Sequence, residues 1–382
     1  MKSSISSPSV NPKVIIVGPS FTGGGAERRF ANIVKNLFSG KCDVAVLVPS
    51  QAPETGLGKV FYLGWSKSSR ISYIKAIWIL RQRINQGQYD VLMSFGLFPN
   101  LVSIIAGLLA SFKTKVIINE ITRPKLLVKQ KNLRSIFYRE LQKWFYGRSF
   151  LITANSIDGL REACELGGVV VERGFRVPNV IDHEYLNSKY LEHKRKLEKN
   201  GNSIICLGRL DFMKRIDTVV YALHRLIDRM NCNLFVVGDG EARPALEAQV
   251  VTLGLTKSVI FTGKLENPFP LLREASVFVL ASEYEGYSNS VLEAMFCNVP
   301  VITSLCSSDA REMCEQGAAL GFEVGDVEQL AEHIAEIISD EALSQKLICR
   351  AREYRAPHAL ENAIPVYENL IRRVAGYEEF SG

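Results

Sequence analysis

Short apolar runs alternate along the chain with longer stretches in which apolar residues recur at helical spacing. Runs at Lys13–Gly18, Asp43–Val48, Lys59–Leu63, Asp90–Phe95, Lys115–Asn119 and Phe150–Thr153 predict a first series of strands. After a charged stretch the alternation resumes, with strands expected at Ser203–Gly208, Asn233–Gly238, Ser258–Gly263, Ser276–Ala281 and Val299–Thr303. Val/Ile/Leu runs without polar alternation belong to strands buried on both faces, and intervening helices make such sheets parallel. Two series therefore predict an α/β chain with two doubly wound, Rossmann-like domains. The boundary is expected just after Val177-Pro-Asn-Val-Ile-Asp182, giving domains 1–182 and 183–363. Glu184–Asn202 reads as a polar linker or an exposed helix. Residues 364–380 place Ile364, Tyr367, Leu370, Ile371 and Val374 on one helical face, to close the second domain or pack back on the first.

Composition agrees with two cores. The chain has 382 residues, more than one ordinary core organises, with 47% apolar and 23% charged residues, which excludes a disordered class. Eight cysteines form no CxxC pair, so neither a zinc site nor a disulfide frame is expected, and a reducing compartment is. The N-terminal MKSSISSPSVNPK has no apolar run behind its first lysine; a disordered leader is expected rather than a signal peptide. The run Leu101–Phe112 falls short of the roughly 18 residues that span a bilayer. A cytoplasmic protein, at most bound to a membrane surface, is the expectation.

Charge changes this picture. Residues 1–182 carry 25 Lys and Arg against 11 Asp and Glu, while the remainder carries 21 against 29. A basic first half suggests an anionic partner on that side.

Ligands of open parallel sheets sit beyond the carboxyl ends of the strands, so the segments after strands hold the candidate chemistry. The first strand runs into Gly18-Pro-Ser-Phe-Thr-Gly-Gly-Gly-Ala-Glu27 and then a helix. Glycines let backbone amides approach a ligand, and a helix start favours an anion. A tight strand–helix turn is the plainer reading, and no GxGxxG fingerprint is present. In the second series, Gly208-Arg209-Leu-Asp-Phe-Met-Lys214-Arg215 sends Arg209 and Lys214 off a strand end together. Two cations there neutralise a pyrophosphate and stabilise it as a leaving group; ordinary solvated charge is the alternative. The turn Val237-Gly-Asp-Gly-Glu-Ala-Arg243, with Gly238, and the segment Gly263, Lys264, Leu265 are placed to frame a nucleotide base, or are simply turns. Finally Glu285 lies four residues beyond Ala281, and Glu293 follows after seven more. Gly286 to Asn289 make a bend, Ser288 or Asn289 is expected to cap the next helix, and the amides of Tyr287–Ser290 suit a phosphate. A carboxylate recognises neighbouring hydroxyls by accepting from both, so the pair is expected to bracket a nucleotide sugar.

The GGGAER loop, VPNVID, GRLDFMKR, VVGDGE and EGYSNSVLEAMFCNVPVI together resemble the retaining glycosyltransferases of family 4, and the last contains that family's E-x7-E element. The resemblance implies the GT-B architecture, two Rossmann-like domains facing a central cleft, with acceptor bound by the first and donor by the second. It implies a hexosyltransferase that moves a sugar from a nucleotide-diphosphate donor to a hydroxyl with retention, without an obligatory metal or cofactor. Carried onto this chain, Arg209 and Lys214 hold the diphosphate, Glu285 contacts the donor sugar and Glu293 the ribose. Gly24 and Gly25 approach the donor phosphate and the acceptor. The leaving diphosphate assists deprotonation of the attacking hydroxyl; a covalent intermediate at Glu285 is the alternative. Relatives carry a histidine after the strand corresponding to Lys115–Asn119. Here the run is Ile118-Asn119-Glu120-Ile121-Thr122-Arg123-Pro124, so Asn119, Glu120 and Arg123 become the acceptor-side candidates and no histidine role transfers.

Residues 123–148 hold eight Lys/Arg and one acid, Glu140, together with Leu126, Leu127, Leu133, Ile136, Phe137, Leu141, Trp144 and Phe145. Such a segment suits an anionic membrane interface, or is a core helix with a basic outer face. No nucleic-acid module is recognisable. The expectation is a polysaccharide-type transferase acting on a lipid-linked oligosaccharide at the cytoplasmic membrane face, in O-antigen, capsule or exopolysaccharide assembly. The donor class expected is a UDP-sugar. The rivals are a GDP-mannose-dependent mannosyltransferase, a sugar-nucleotide epimerase of the same architecture, and a non-catalytic sugar-nucleotide binding protein.

Overall fold

The structure, a computed structural model, describes residues 11–22, 25–50, 57–65, 71–125, 133–192 and 201–377. The serine-rich start of the leader, Gly24, Leu126, Leu127, residues 193–200 of the expected linker and 378–380 of the tail lie outside them. The chain divides into two compact units. One runs to Asn155, resumes over Gly159–Val180 and takes the C-terminal segment from Glu361; the other holds Ser156–Asp158 and Ile181–Leu360.

In the first unit the elements are β1 (Val14–Gly18), α1 (Gly25–Asn36), β2 (Asp43–Val46), β3 (Val60–Tyr62), α2 (Ile71–Gly87), β4 (Val91–Phe95), α3 (Leu97–Leu109), β5 (Lys115–Glu120), α4 (Leu133–Phe145), β6 (Leu151–Ala154), α5 (Ile157–Gly167) and β7 (Gly174–Arg176). The strands form one sheet, ordered β3-β2-β1-β4-β5-β6-β7, with every pair parallel. β1 and β4 are buried at every position, as strands covered on both faces must be. Right-handed crossovers put α2, α3, α4 and α5 on one side of the sheet and α1 on the other. Gly18 ends β1 because Phe30 of α1 lies against it: a Cβ there would sit 2.2 Å from the ring.

The second unit contains α6 (His183–Glu192), β8 (Asn202–Leu207), α7 (Ile216–Leu226), β9 (Cys232–Val237), α8 (Arg243–Thr252), β10 (Val259–Gly263), α9 (Phe269–Arg273), β11 (Val277–Leu280), α10 (Asn289–Phe296), β12 (Val301–Ser304), α11 (Ser308–Glu315), β13 (Leu320–Phe322), α12 (Val327–Ser339) and α13 (Glu341–Arg355). Its sheet is ordered β10-β9-β8-β11-β12-β13, again parallel throughout. Helix starts are marked by side-chain caps: Ser307, Asp326 and Asp340 accept from the amides of Ala310, Gln329 and Leu343.

The last helix, α14 (Leu360–Ala375), belongs to the first unit. Its apolar stripe, Ile364, Tyr367, Leu370, Ile371 and Val374, is buried. Tyr367 Oη accepts from Arg29 Nη2 (2.6 Å) and donates to the Pro178 carbonyl (2.8 Å). Lys115 Nζ donates to the Val374 carbonyl (2.7 Å), and Glu368 accepts from the Phe38 amide (2.6 Å). The helix is thus held at its middle and in its last turn by groups from the Arg29–Phe38 stretch, from β5 and from Pro178. All eight cysteines are free thiols, five of them buried. No described helix is long and apolar enough to cross a membrane.

Candidate active site

In the second sheet the strand order reverses between β8 and β11, and loops leaving the carboxyl ends of those two strands meet there. The β8 loop is Gly208–Arg215, with a single 3₁₀ turn over Phe212–Lys214. The β11 loop is 281–288. They are joined by the Glu283 amide donating to the Met213 carbonyl (2.7 Å). This bond sets the residue before Lys214 against Glu283, two residues before Glu285. Lys214 Nζ then donates to Glu285 Oε1, with side chains only 25% and 17% exposed. Ser282 Oγ donates to the same oxygen at 3.1 Å, and Ser304 Oγ donates to the Ser282 carbonyl at 2.6 Å. Glu285 is therefore fixed by β11 and β12 together rather than carried on a free loop.

The other expected cation is placed differently. Arg209 is 79% exposed on its side chain and pairs with Asp211 at 3.1 Å. Its fork is open to an incoming anion, whereas the Lys214 charge is already engaged with Glu285. The turn at 238–242 supports this loop from below. The Gly208 amide donates to the Val237 carbonyl, the Leu210 amide to Asp239, and the Ala242 amide to Leu210. Gly238 (φ +141°) lies so close that a Cβ would meet the Gly208 carbonyl oxygen at 1.8 Å. The Gly238 amide donates in turn to Gly263, which precedes Lys264 and the 37%-exposed Leu265. Four strand-end loops are thereby stitched edge to edge by backbone bonds.

Helix α10 begins at Asn289, with Ser288 as its N-cap residue. The sequence suggested that Ser288 or Asn289 would cap it, but Ser288 makes no capping bond and its hydroxyl sits 2.9 Å from that of Ser290. The first turn carries no acid either. A helix start with no cap bond from Ser288 and no acid in its first turn leaves its positive dipole end unneutralised toward an anion. A small depression bounded by Glu285, Gly286, Tyr287 and Ser288 on one side and Cys306, Ser307 and Ala310 on the other adjoins this start. Tyr287 itself points inward: it is 8% exposed, and its hydroxyl lies 3.0 Å from His358 Nε2. Its contribution toward the depression is backbone, and its ring anchors the loop. Glu293 is 5% exposed, within the buried face of α10.

The acceptor-side candidates at the end of β5 also turn inward. Asn119 is fully buried and donates to Thr153 Oγ1 at 2.8 Å. Arg123 is bonded to Glu162 at 2.6 Å and 2.9 Å, and Glu162 also accepts from the Lys125 amide. Glu120 is 1% exposed and accepts from Tyr146 Oη at 2.6 Å. These residues brace the β5 loop through these bonds to protein partners. In the first glycine-rich loop, Gly25 opens α1, whose first turn contains Glu27.

Two family models match the chain: Glycosyltransferase Family 4 over residues 23–185 and Glycosyl transferases group 1 over residues 201–340. The chain belongs to these glycosyltransferases. Among curated relatives it is 27% identical over 246 residues to the N-acetylgalactosamine-N,N'-diacetylbacillosaminyl-diphospho-undecaprenol 4-alpha-N-acetylgalactosaminyltransferase of Campylobacter jejuni, covering 64% of this chain and 66% of that protein. It is 25% identical over 287 residues to a second Campylobacter jejuni protein, a diNAcBac-PP-undecaprenol-directed alpha-1,4-N-acetyl-D-galactosaminyltransferase, covering 74% of each. The match thus spans just under two thirds of the first relative's length. Among solved structures, Anabaena HepE in complex with UDP and glucose superposes with a TM-score of 0.76 at 17% identity, covering 96% of this chain and 100% of that one. That likeness establishes the fold: two parallel-sheet Rossmann-like α/β domains of the GT-B type.

Within this glycosyltransferase, one interior carboxyl makes a pH prediction. Burial pushes the Glu120 carboxyl up to about 7, against the opposing pull of the Tyr146 hydroxyl and the amides of Thr122 and Ile121. The folded chain then holds this proton more tightly than the unfolded chain. The resulting stability is complete below the unfolded carboxyl range and is lost as pH rises through about 7. The swing is on the order of 3 kcal/mol. Glu120→Gln is expected to flatten the stability profile between pH 5 and pH 8 in urea titrations. Identical slopes for the two proteins would refute a buried proton at this position.

Proposed function

We propose that the chain transfers a hexose, with retention of anomeric configuration, from a UDP-sugar to a hydroxyl of a lipid-linked oligosaccharide or polysaccharide precursor at the cytoplasmic face of the membrane. The observation that carries this reading is the Lys214–Glu285 pair at the β8/β11 reversal, beside the uncapped start of α10. In this scheme the diphosphate lies across Arg209, Lys214 and the α10 amides, while Glu285 accepts from sugar hydroxyls and Glu293 from the ribose. Gly238, Lys264 and Leu265 border the base.

Charge builds on the diphosphate as the bond from the anomeric carbon to the phosphate oxygen breaks, and the fixed cations stabilise that charge where it develops. The acceptor hydroxyl attacks from the face the diphosphate leaves. Its proton passes to a phosphate oxygen, and the new glycosidic bond keeps the donor's configuration. The lipid-linked acceptor follows the undecaprenol-linked substrates named for the Campylobacter jejuni relatives. In this reading the basic residues of the first unit, Arg139, Lys143 and Arg148 among them, meet the anionic surface that carries such an acceptor.

The test is product analysis with a panel of UDP- and GDP-sugars and polyprenyl-diphosphate-linked saccharides in detergent. Transfer of the sugar with its anomeric configuration kept, and release of UDP, is the expected result. Recovery of an epimerised donor with no acceptor consumed would reassign the chain to epimerisation. Donor binding without any turnover would make it a binding protein.

A further inference from the structure

Two helices of the first unit carry, besides their core-facing stripes, a further set of large apolar side chains turned away from the core. On α2 the inward positions are Ser72, Ala76, Leu80 and Ile84. Ile71, Ile74 and Trp78, at the spacing that normally marks a core face, are instead 76%, 70% and 54% exposed. On α4 the inward positions are Ser135, Tyr138 and Gln142, while Ile136, Phe137 and Trp144 are 55%, 60% and 65% exposed. The two helices are held as neighbours. Tyr73 and Tyr138 hydroxyls are 2.7 Å apart, and Phe98 of α3 lies against both rings, with centroids at 5.8 Å and 4.9 Å. Between them α3 is buried through most of its length. Six large apolar side chains thus stand outward on one side of one sheet, more than a solvated surface ordinarily carries.

The charge carried by the two helices is predominantly positive. α2 contains Lys75, Arg81 and Arg83 and no acid. On α4 and just beyond it are Arg139, Lys143 and Arg148, with Glu140 the one acid, paired to Lys143 at 2.6 Å. A second copy of the same face would bring like charges together, whereas the interface of an anionic bilayer offers headgroup phosphates to the cations and acyl-chain boundary to the apolar groups.

We propose that the outer faces of α2 and α4 together form one docking surface for an anionic membrane, with Ile71, Ile74, Trp78, Phe137 and Trp144 entering the interface. This rests on the reading of a membrane-carried acceptor and extends it to α2, which lies outside the basic segment. It also places the surface on the side of the sheet opposite α1.

The chain reports on this directly, because Trp78 and Trp144 are two of its three tryptophans and the third, Trp65, is 8% exposed. Full-length protein mixed with vesicles containing about 30% phosphatidylglycerol is expected to show a blue-shifted emission and quenching by brominated acyl chains, both weakened by high salt. Pure phosphatidylcholine vesicles are expected to give at least about tenfold weaker binding. Ile74→Glu with Phe137→Glu replaces two exposed side chains and is expected to lower vesicle affinity at least about tenfold. Donor turnover on a soluble acceptor stays unchanged in that variant. No emission change with anionic vesicles, or equal binding by the double variant, overturns the proposal. So does a shift that depends on protein concentration without vesicles and sediments as a dimer, which would assign the face to a second copy. Loss of transfer activity with vesicle binding intact would count against the catalytic reading alone.

Discussion

Lys214→Ala and Glu285→Ala are each expected to lower kcat for sugar transfer by about 10²–10³-fold with little change in melting temperature. The Glu283–Met213 backbone bond joins the two loops independently of the Lys214–Glu285 pair, and Ser282 stays beside Glu285. Alanine removes the charge and leaves the scaffold. Arg209→Ala acts at a solvated position, 79% exposed, and is expected to raise the donor KM more than it lowers kcat. Steady-state kinetics with one donor and one acceptor measure all three. Were Lys214→Ala and Glu285→Ala both to retain full turnover, the site would lie elsewhere.

Gly238→Ala is expected to be the most disruptive single methyl group in the second unit. Its φ of +141° is strained for an L-residue, and the new Cβ would stand 1.8 Å from the Gly208 carbonyl oxygen. Neither backbone segment has room to move, because Leu210 is bonded to both Asp239 and Ala242. A loss of about 3 kcal/mol or more follows, with the donor loop displaced. Gly254→Ala is the matched control: φ is +70° and no atom lies within 4 Å, so only the backbone term of about 1 kcal/mol applies. Denaturant titration separates the two. Equal losses would mean that the close approach of the two turns is not a stability determinant.

The pattern of apolar runs carried much of the fold because buried parallel strands are written as uninterrupted Val/Ile/Leu segments. Strand ends fell within a residue or two of expectation. The two strands it did not reveal, Gly174–Arg176 and Leu320–Phe322, are three-residue edge strands with a single partner each, too short to show a pattern. The apolar stripe of α14 was visible, but an apolar stripe does not name what covers it. The tie to Arg29, Pro178 and Lys115 is a matter of tertiary placement.

Candidate site residues were legible where a motif fixes them locally. The juxtaposition of Lys214 with Glu285, 71 residues later, depends on the strand order and is not written in either segment. Tyr287 looked like a donor contact by position; its partner His358 lies 71 residues on, and nothing near either residue announces it. Asn119, Glu120 and Arg123 follow a strand as ligand-binding residues do. Thr153 of β6, Tyr146 in the 3₁₀ turn after α4 and Glu162 of α5 turn them inward. The outward face of α2 misleads for the opposite reason, since helical spacing of Ile71, Ile74 and Trp78 is the signature of a core.

The C-terminal helix also has a consequence for biosynthesis. The first unit is assembled from segments that lie on either side of the second in the sequence, and Tyr367 is the group to which Arg29 and Pro178 are joined. A ribosome that has finished residues 1–180 has therefore produced a sheet with one flank uncovered. Residues 181–360 of the second unit are made before α14, so the first unit is completed only after the second, once α14 has emerged from the exit tunnel.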